Sequence, residues 1–171
     1  VAQARLTHDG ARNAGGVEID TGELTFAAGG LQPASLSPLM AAIGSPAQGQ
    51  ARFTGGFTWS GATTSSQGRL VVRELDFESP AGPVRDLAGT VVLTSLAPLT
   101  AAPGQRLTAE RIEAVVPLTE VAVELALSDK AVTVSGGSAA LGGGVLRVES
   151  MEIPLDPKAA TKGLLVFEGV Q

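Results

Sequence analysis

Leu118–Leu127 reads LTEVAVELAL, and beyond Ser128, Asp129 and Lys130 the chain continues AVTVS over Ala131–Ser135. Val121, Val123, Leu125 and Leu127 alternate with Glu120, Ala122, Glu124 and Ala126, the period of a strand with one apolar and one wetted face. Val132 and Val134 resume the alternation after a Ser-Asp-Lys turn, so Leu118–Ser135 reads as a β-hairpin. Outward from it, the same patterning marks strands at Val17–Ala27, Gln50–Trp59, Gly68–Glu78, Leu87–Thr94, Leu107–Val115, Gly144–Ile153 and Gly163–Val170. The links are short and one helix interrupts them, which favours antiparallel neighbours.

Several of these strands change phase. The apolar set moves from Leu70 and Val72 to Leu75 and Phe77, and from Val17 and Ile19 to Leu24 and Phe26, while Gly55 and Gly56 interrupt Phe53 and Phe57. Each shift reads as a β-bulge, and bulges add twist and bend. The expected fold is therefore mostly β: a curved antiparallel sheet forming a groove, as a β-taco or partly open barrel, with one short helix. That helix is expected at Ser35–Ile43, where Leu36, Leu39, Met40 and Ile43 recur at spacings of three and four, Pro38 suits a first turn and Gly44 a stop. Packed on the sheet, each fully buried Leu or Ile of such a plug contributes roughly 1.5–3 kcal/mol.

Composition narrows the function. The 171 residues hold 22 Gly and 10 Pro, 44% hydrophobic and 17% charged residues, one His, one Trp and neither Cys nor Tyr. Mean hydropathy is +0.25. This is too punctuated for a helical bundle and too apolar for a disordered chain. Without Cys there is no disulfide framework or thiol nucleophile. A net charge of −5 with 12 scattered basic residues gives nucleic acid no phosphate-binding surface. The uncharged run Leu24–Ala51 contains Pro33, Pro38 and Pro46 and is no spanning helix. Val1–Asp9 lacks the basic and apolar regions of a signal peptide, and residues 1–15 read as a flexible stretch before a single β-groove domain at 16–171, a fragment of a longer protein.

Catalytic patterns are weak. His8 has only Asp9 beside it and reads as solvated. Gly142–Gly144 lacks the following Lys-Ser or Lys-Thr of a phosphate loop and reads as a strand bend. Glu110 with Glu113, and Glu149 with Glu152, fall on opposite strand faces at a spacing of three, so no catalytic, metal or cofactor site is expected. Arg69 and Arg73 share a face if no bulge intervenes and are the nearest thing to a dicarboxylate clamp.

The segments LQPASLSPL (Leu31–Leu39), FTWSG (Phe57–Gly61), SPAGPVRDLAGTVVLTSLAPLTAAPGQRL (Ser79–Leu107), PLTEVAVELAL (Pro117–Leu127) and GGGVLRVESMEIPLDP (Gly142–Pro157) together resemble the C-terminal region of the YdbH family. The family belongs to the AsmA-like group, with TamB as a relative, and this region has also carried the label "dicarboxylate transport". The resemblance spans roughly Gly16–Gln171. It implies a periplasmic portion of an inner-membrane-anchored Gram-negative protein, built from neighbouring repeats, that carries phospholipid acyl chains between inner and outer membrane. It also implies a small outer-membrane lipoprotein as a partner, for which addition of a strand to a sheet edge is the expected mode.

Expected lipid-lining residues are Val121, Val123, Leu125, Leu127, Val132, Val134, Leu165 and Phe167; the same residues would equally suit the core of a closed barrel or sandwich. Two other functions stay open: a dicarboxylate-binding module at Arg69 and Arg73, and a cell-envelope assembly module that pairs through an edge strand.

Overall fold

The structure, a computed structural model, describes residues 2–36, 46–79, 81–156 and 158–170. Ten strands form one sheet in strict chain order: β1 (Gln3–Asp9), β2 (Ala14–Phe26), β3 (Gln48–Ser60), β4 (Thr63–Ser79), β5 (Gly82–Leu96), β6 (Leu99–Ile112), β7 (Leu118–Leu127), β8 (Ala131–Leu141), β9 (Gly144–Pro154) and β10 (Lys162–Glu168). Every neighbouring pair is antiparallel. The stretch 1–15, read from the sequence as flexible, contains β1, paired along its length with β2.

The decisive hairpin forms as its sequence dictates. Val132 faces Leu127 and Val134 faces Leu125 across β7 and β8. Ser128 closes the turn, its Oγ accepting from the Ala131 N–H at 3.0 Å while the Ser128 N–H donates to the Ala131 carbonyl at 2.9 Å. At the β8–β9 link Gly142 and Gly143 take φ of 52° and 79°, so the glycines form a two-residue hairpin turn rather than a strand bend.

The expected curl is corrected. The sheet is neither closed nor strongly curled, so it forms no groove, β-taco or partly open barrel; β1 and β10 lie at opposite ends of the strand order. Bulges are present, and in two strand pairs they are answered on the neighbouring strand. An extra residue in β4 near Glu74 (φ 48°) is matched by one in β5 near Asp86 (φ 53°), returning the pairing to its starting register between Val72↔Gly89 and Phe77↔Val84. One at Glu120 (φ 52°) in β7 is likewise matched in β8. Opposed bulges cancel the one-sided lengthening that would bend a strand pair over.

The β2 phase change does sit at a bulge, between Asp20 and Glu23, where Gly22 takes φ of 62°. Gly55 and Gly56 mark none, since β3 runs in unbroken register there. Gly55 is small for another reason: a Cβ on it would stand 2.8 Å from the Phe53 ring, and one on Gly68, its cross-strand partner, equally close. The ring sits against two glycines.

Among the described residues, helix α1 covers Pro33–Leu36. It starts two residues before the expected Ser35, with Pro33 at the first helical position, where its missing N–H costs nothing. The rest of the expected Ser35–Ile43 helix lies outside the described residues.

Among the described residues, nine of the buried side chains form two clusters. Phe26, Ala47, Ala51, Val72 and Leu75 pack at the β2–β4 end, with Leu24 and Leu70 against them. Val84, Ala109, Val121 and Ala139 pack across β5–β8, with Val123 against them. Phe77 and Leu87 touch both.

Candidate functional site

Directly opposed residues in an antiparallel sheet point to the same face, so the registers trace which side chains share a surface. One row crosses β2 to β10 without a polar side chain: Leu24, Ala51, Val72, Gly89, Leu107, Val123, Gly137, Val148 and Leu165. A second crosses β1 to β9: Ala4, Ile19, Gly55, Gly68, Leu93, Ala101, Leu127, Val132 and Ile153. At about 4.8 Å between strands these rows run roughly 40 Å, perpendicular to the strands. The apolar face is therefore continuous across the strand order.

All eight sequence-predicted apolar residues lie on this face. Val123 and Leu165 belong to the first row, Leu127 and Val132 to the second, and Leu125 opposes Val134 between them. Val121 packs with Ala139, whose row continues through Leu146 to Phe167. Their exposure is graded. Val121 and Val134 are buried, Val123, Leu125, Leu127 and Val132 half-buried, and Leu165 and Phe167 on β10 are 40% and 59% exposed.

Sequence reading missed the contribution of β2–β6 to the rows, because Gly55, Gly68 and Gly89 carry no apolar signal although they lie in line with it. It also missed two glutamines that stand in for backbone. Gln105 accepts the Val92 N–H at 2.7 Å where the β5–β6 ladder is interrupted. Gln32 does the same for Ala47, accepting its N–H at 2.8 Å and donating to its carbonyl at 3.1 Å. No spacing rule marks either.

The opposite face is polar and largely self-neutralised. Arg52 holds Asp20 at 2.6 Å, Arg73 holds Glu23 at 3.6 Å, Arg85 bridges Asp76 and Glu113, and Arg147 holds Glu168. The Asp20 carboxyl sits below its ordinary pKa, chiefly through the hydrogen bond from Arg52 and then the Gly22 N–H, and Arg52 is raised in return. Arg69 and Arg73 do share this face, because β3 and β4 stay in register between them. With Arg52 they border a cleft of about 280 Å³. Of the three, Arg52 and Arg73 are engaged by carboxylates of β2.

His8 is exposed, its ring centroid 6.1 Å from that of Trp59. Among the described residues no three acidic, His or Cys side chains gather as metal ligands, and no helix is long and apolar enough to cross a membrane. No buried side-chain polar atom among them lacks a partner.

Residues 1–171 match a family model described as "YdbH-like: Intermembrane phospholipid transport protein YdbH". That description is of a transport protein, not an enzyme. No curated protein and no solved structure matches the chain.

Proposed function

The chain belongs to the YdbH-like family, and from that premise we propose that it is a periplasmic lipid-conducting module whose apolar sheet face carries phospholipid acyl chains between the inner and outer membranes. The observation that carries this reading is the pair of apolar rows crossing the strand order. An acyl chain laid along them exchanges water for side-chain methyl groups. For about fifteen methylenes at about 0.8 kcal/mol each, the gain is roughly 12 kcal/mol.

No polar site is needed for that gain, and its size means that lipid leaves only onto another apolar surface. Continuity across strands is thus the property a conduit requires, and the rows are most open on β7–β10, where side chains grade from half-buried Val123 to exposed Phe167. Rising exposure at Leu165 and Phe167 leaves apolar surface available at β10, where the sheet of a neighbouring repeat, or a strand from an outer-membrane lipoprotein, would extend the rows. The anchor in the inner membrane and the further repeats belong to this proposal.

A dicarboxylate-binding role has less support. Its cations stand on the other face, and Asp20 and Glu23 occupy two of the three guanidinium groups beside the cleft. Native mass spectrometry of the chain purified from a periplasmic extract tests the lipid reading. Bound species with phospholipid masses are expected; a chain that carries none, and takes up none from phosphatidylethanolamine micelles, overturns it.

A further inference from the structure

Trp59 is the one tryptophan of the chain, and it stands on the apolar face at the end of β3 away from the β2–β3 link. Its row across β1–β4 is His8, Gly15, Trp59 and Thr64, beside the β1–β2 and β3–β4 turns. Two residues inward along each strand lie Leu6, Val17, Phe57 and Ser66, and two further is the second apolar row at Ala4, Ile19, Gly55 and Gly68. The face therefore passes from apolar to polar over about 14 Å of strand.

The indole is seated by what Gly15 lacks. A Cβ on Gly15 would stand 2.8 Å from Trp59 Cε2, the ring carbon that bears the nitrogen, so glycine is what leaves room for the ring across β2. His8 meets it from β1, with ring centroids 6.1 Å apart and planes 32° apart. Trp59 is half-buried. Among the described residues its N–H has no protein acceptor, and since none of their buried side-chain polar atoms goes without a partner, it is open to solvent. An indole N–H donates and cannot accept. A ring with an apolar body and one polar tip suits the line where an apolar layer meets water.

We propose that Trp59 orients phospholipid on the apolar face, its N–H donating to a phosphate or ester oxygen of the lipid while the acyl chains lie over Leu6, Val17, Phe57 and the rows beyond. This rests on the lipid reading above and adds where the headgroup emerges, at the β1–β2 and β3–β4 turns. Leu6 is 68% exposed and Phe57 half-buried, so apolar surface adjoins the donor directly. His8 and Thr64 are exposed in the same row and keep a headgroup hydrated there. Toward the other end of these strands Phe26 and Leu75 are 2% exposed and offer no such boundary.

The fluorescence of the unaltered chain reports this one position, which supplies the test. The chain is incubated with phosphatidylethanolamine vesicles containing a phosphatidylcholine that carries a nitroxide on the headgroup, near the carboxyl end of an acyl chain or near its methyl end. It is then separated from the vesicles by gel filtration, so that quenching arises from lipid it carries. The headgroup label should quench most and the methyl-end label least. Moving the reporter one row inward, as Phe57→Trp in a Trp59→Phe chain, should shift the strongest quenching to the carboxyl-end label. Trp59→Phe alone keeps a ring beside Gly15 and loses the donor, so its affinity for phosphatidylethanolamine should fall about three- to tenfold.

Strongest quenching of Trp59 by the methyl-end label, or none in a fraction shown by native mass spectrometry to hold the labelled lipid, overturns the proposal and leaves the lipid reading standing. Undiminished affinity in Trp59→Phe overturns it too. A separated fraction that holds no lipid overturns the lipid reading itself, and the orientation with it.

Discussion

The two ends of the apolar face carry the same kind of alternation and end up in different environments. At β2–β4 the face is dry: Phe26 and Leu75 are 2% exposed, and Ala47, held by Gln32 just before β3, is 0% exposed. At β7–β10 consecutive strands are joined by short links, Gly142 and Gly143 turn the chain in two residues, and the side chains grade from buried Val121 to exposed Phe167. Period-2 patterning decides which face is apolar. Access to that face is set by packing, which differs between its two ends.

The sharpest way to break this comparison is to place the same charge at both ends. Leu75→Glu puts a carboxylate in a site with no partner and almost no water, costing about 3–5 kcal/mol and, for a domain of this size, about 10–15 °C in thermal midpoint. Val123→Glu, on a half-buried site, can keep its charge hydrated and should cost about 1 kcal/mol. Calorimetry of the two variants decides it, and equal losses would mean that both ends are core.

A smaller effect is expected at Gly68. A methyl group there meets the Phe53 ring at 2.8 Å, so Gly68→Ala should destabilise by about 1–3 kcal/mol as the ring is pushed off its seat. Gly136, where an added Cβ meets nothing within 4 Å, should accept alanine within about 0.5 kcal/mol. Denaturant midpoints compare them. Smaller again is Phe167→Ala on β10, expected to change stability by less than about 1 kcal/mol because the ring is already 59% exposed, yet to lower the yield of lipid adducts on β10.

The smallest difference lies on the polar face and is read through pH. Asp20 has a folded pKa below its value in the unfolded chain because Arg52 and Gly22 bond to the ionised form. Its contribution to stability is therefore fully present above the unfolded value near pH 4 and is lost as pH falls through the lower folded value. Asp20→Asn should lower stability slightly at neutral pH, as an exposed pair does, and flatten the acid limb, so that the two profiles converge as pH falls below the folded value. An identical acid limb in the variant would remove Asp20 from the account.

Much of this was legible in the sequence for a local reason. The β7–β8 hairpin, its Ser128 turn and the phase changes at Thr21–Gly22 and Arg73–Glu74 are set by neighbours in the chain, so spacing alone reveals them. The failed expectation of a curled sheet came from reading each bulge singly. Whether a bulge bends the sheet depends on the strand beside it, and Glu74 with Asp86 cancel only once β4 and β5 are known to pair. Likewise the eight apolar residues of β7, β8 and β10 were found from alternation, whereas the glycines that extend their rows, and Gln32 and Gln105, act through partners that no sequence period encodes.

The most direct measurement of the central claim uses neighbouring positions on opposite faces. Val123 lies in the apolar row between Leu107 and Gly137, and Glu124 between Arg106 and Gly136. Binding of a phosphatidylethanolamine bearing a fluorescent nitrobenzoxadiazole group is titrated against the unaltered chain, Val123→Glu and Glu124→Val, with folding followed by circular dichroism. The account predicts that Val123→Glu stays folded and loses about tenfold or more in affinity, consistent with the cost of laying acyl methylenes against a charge, while Glu124→Val binds as the unaltered chain does. Loss of binding in Glu124→Val alone, or full binding by Val123→Glu, would contradict it.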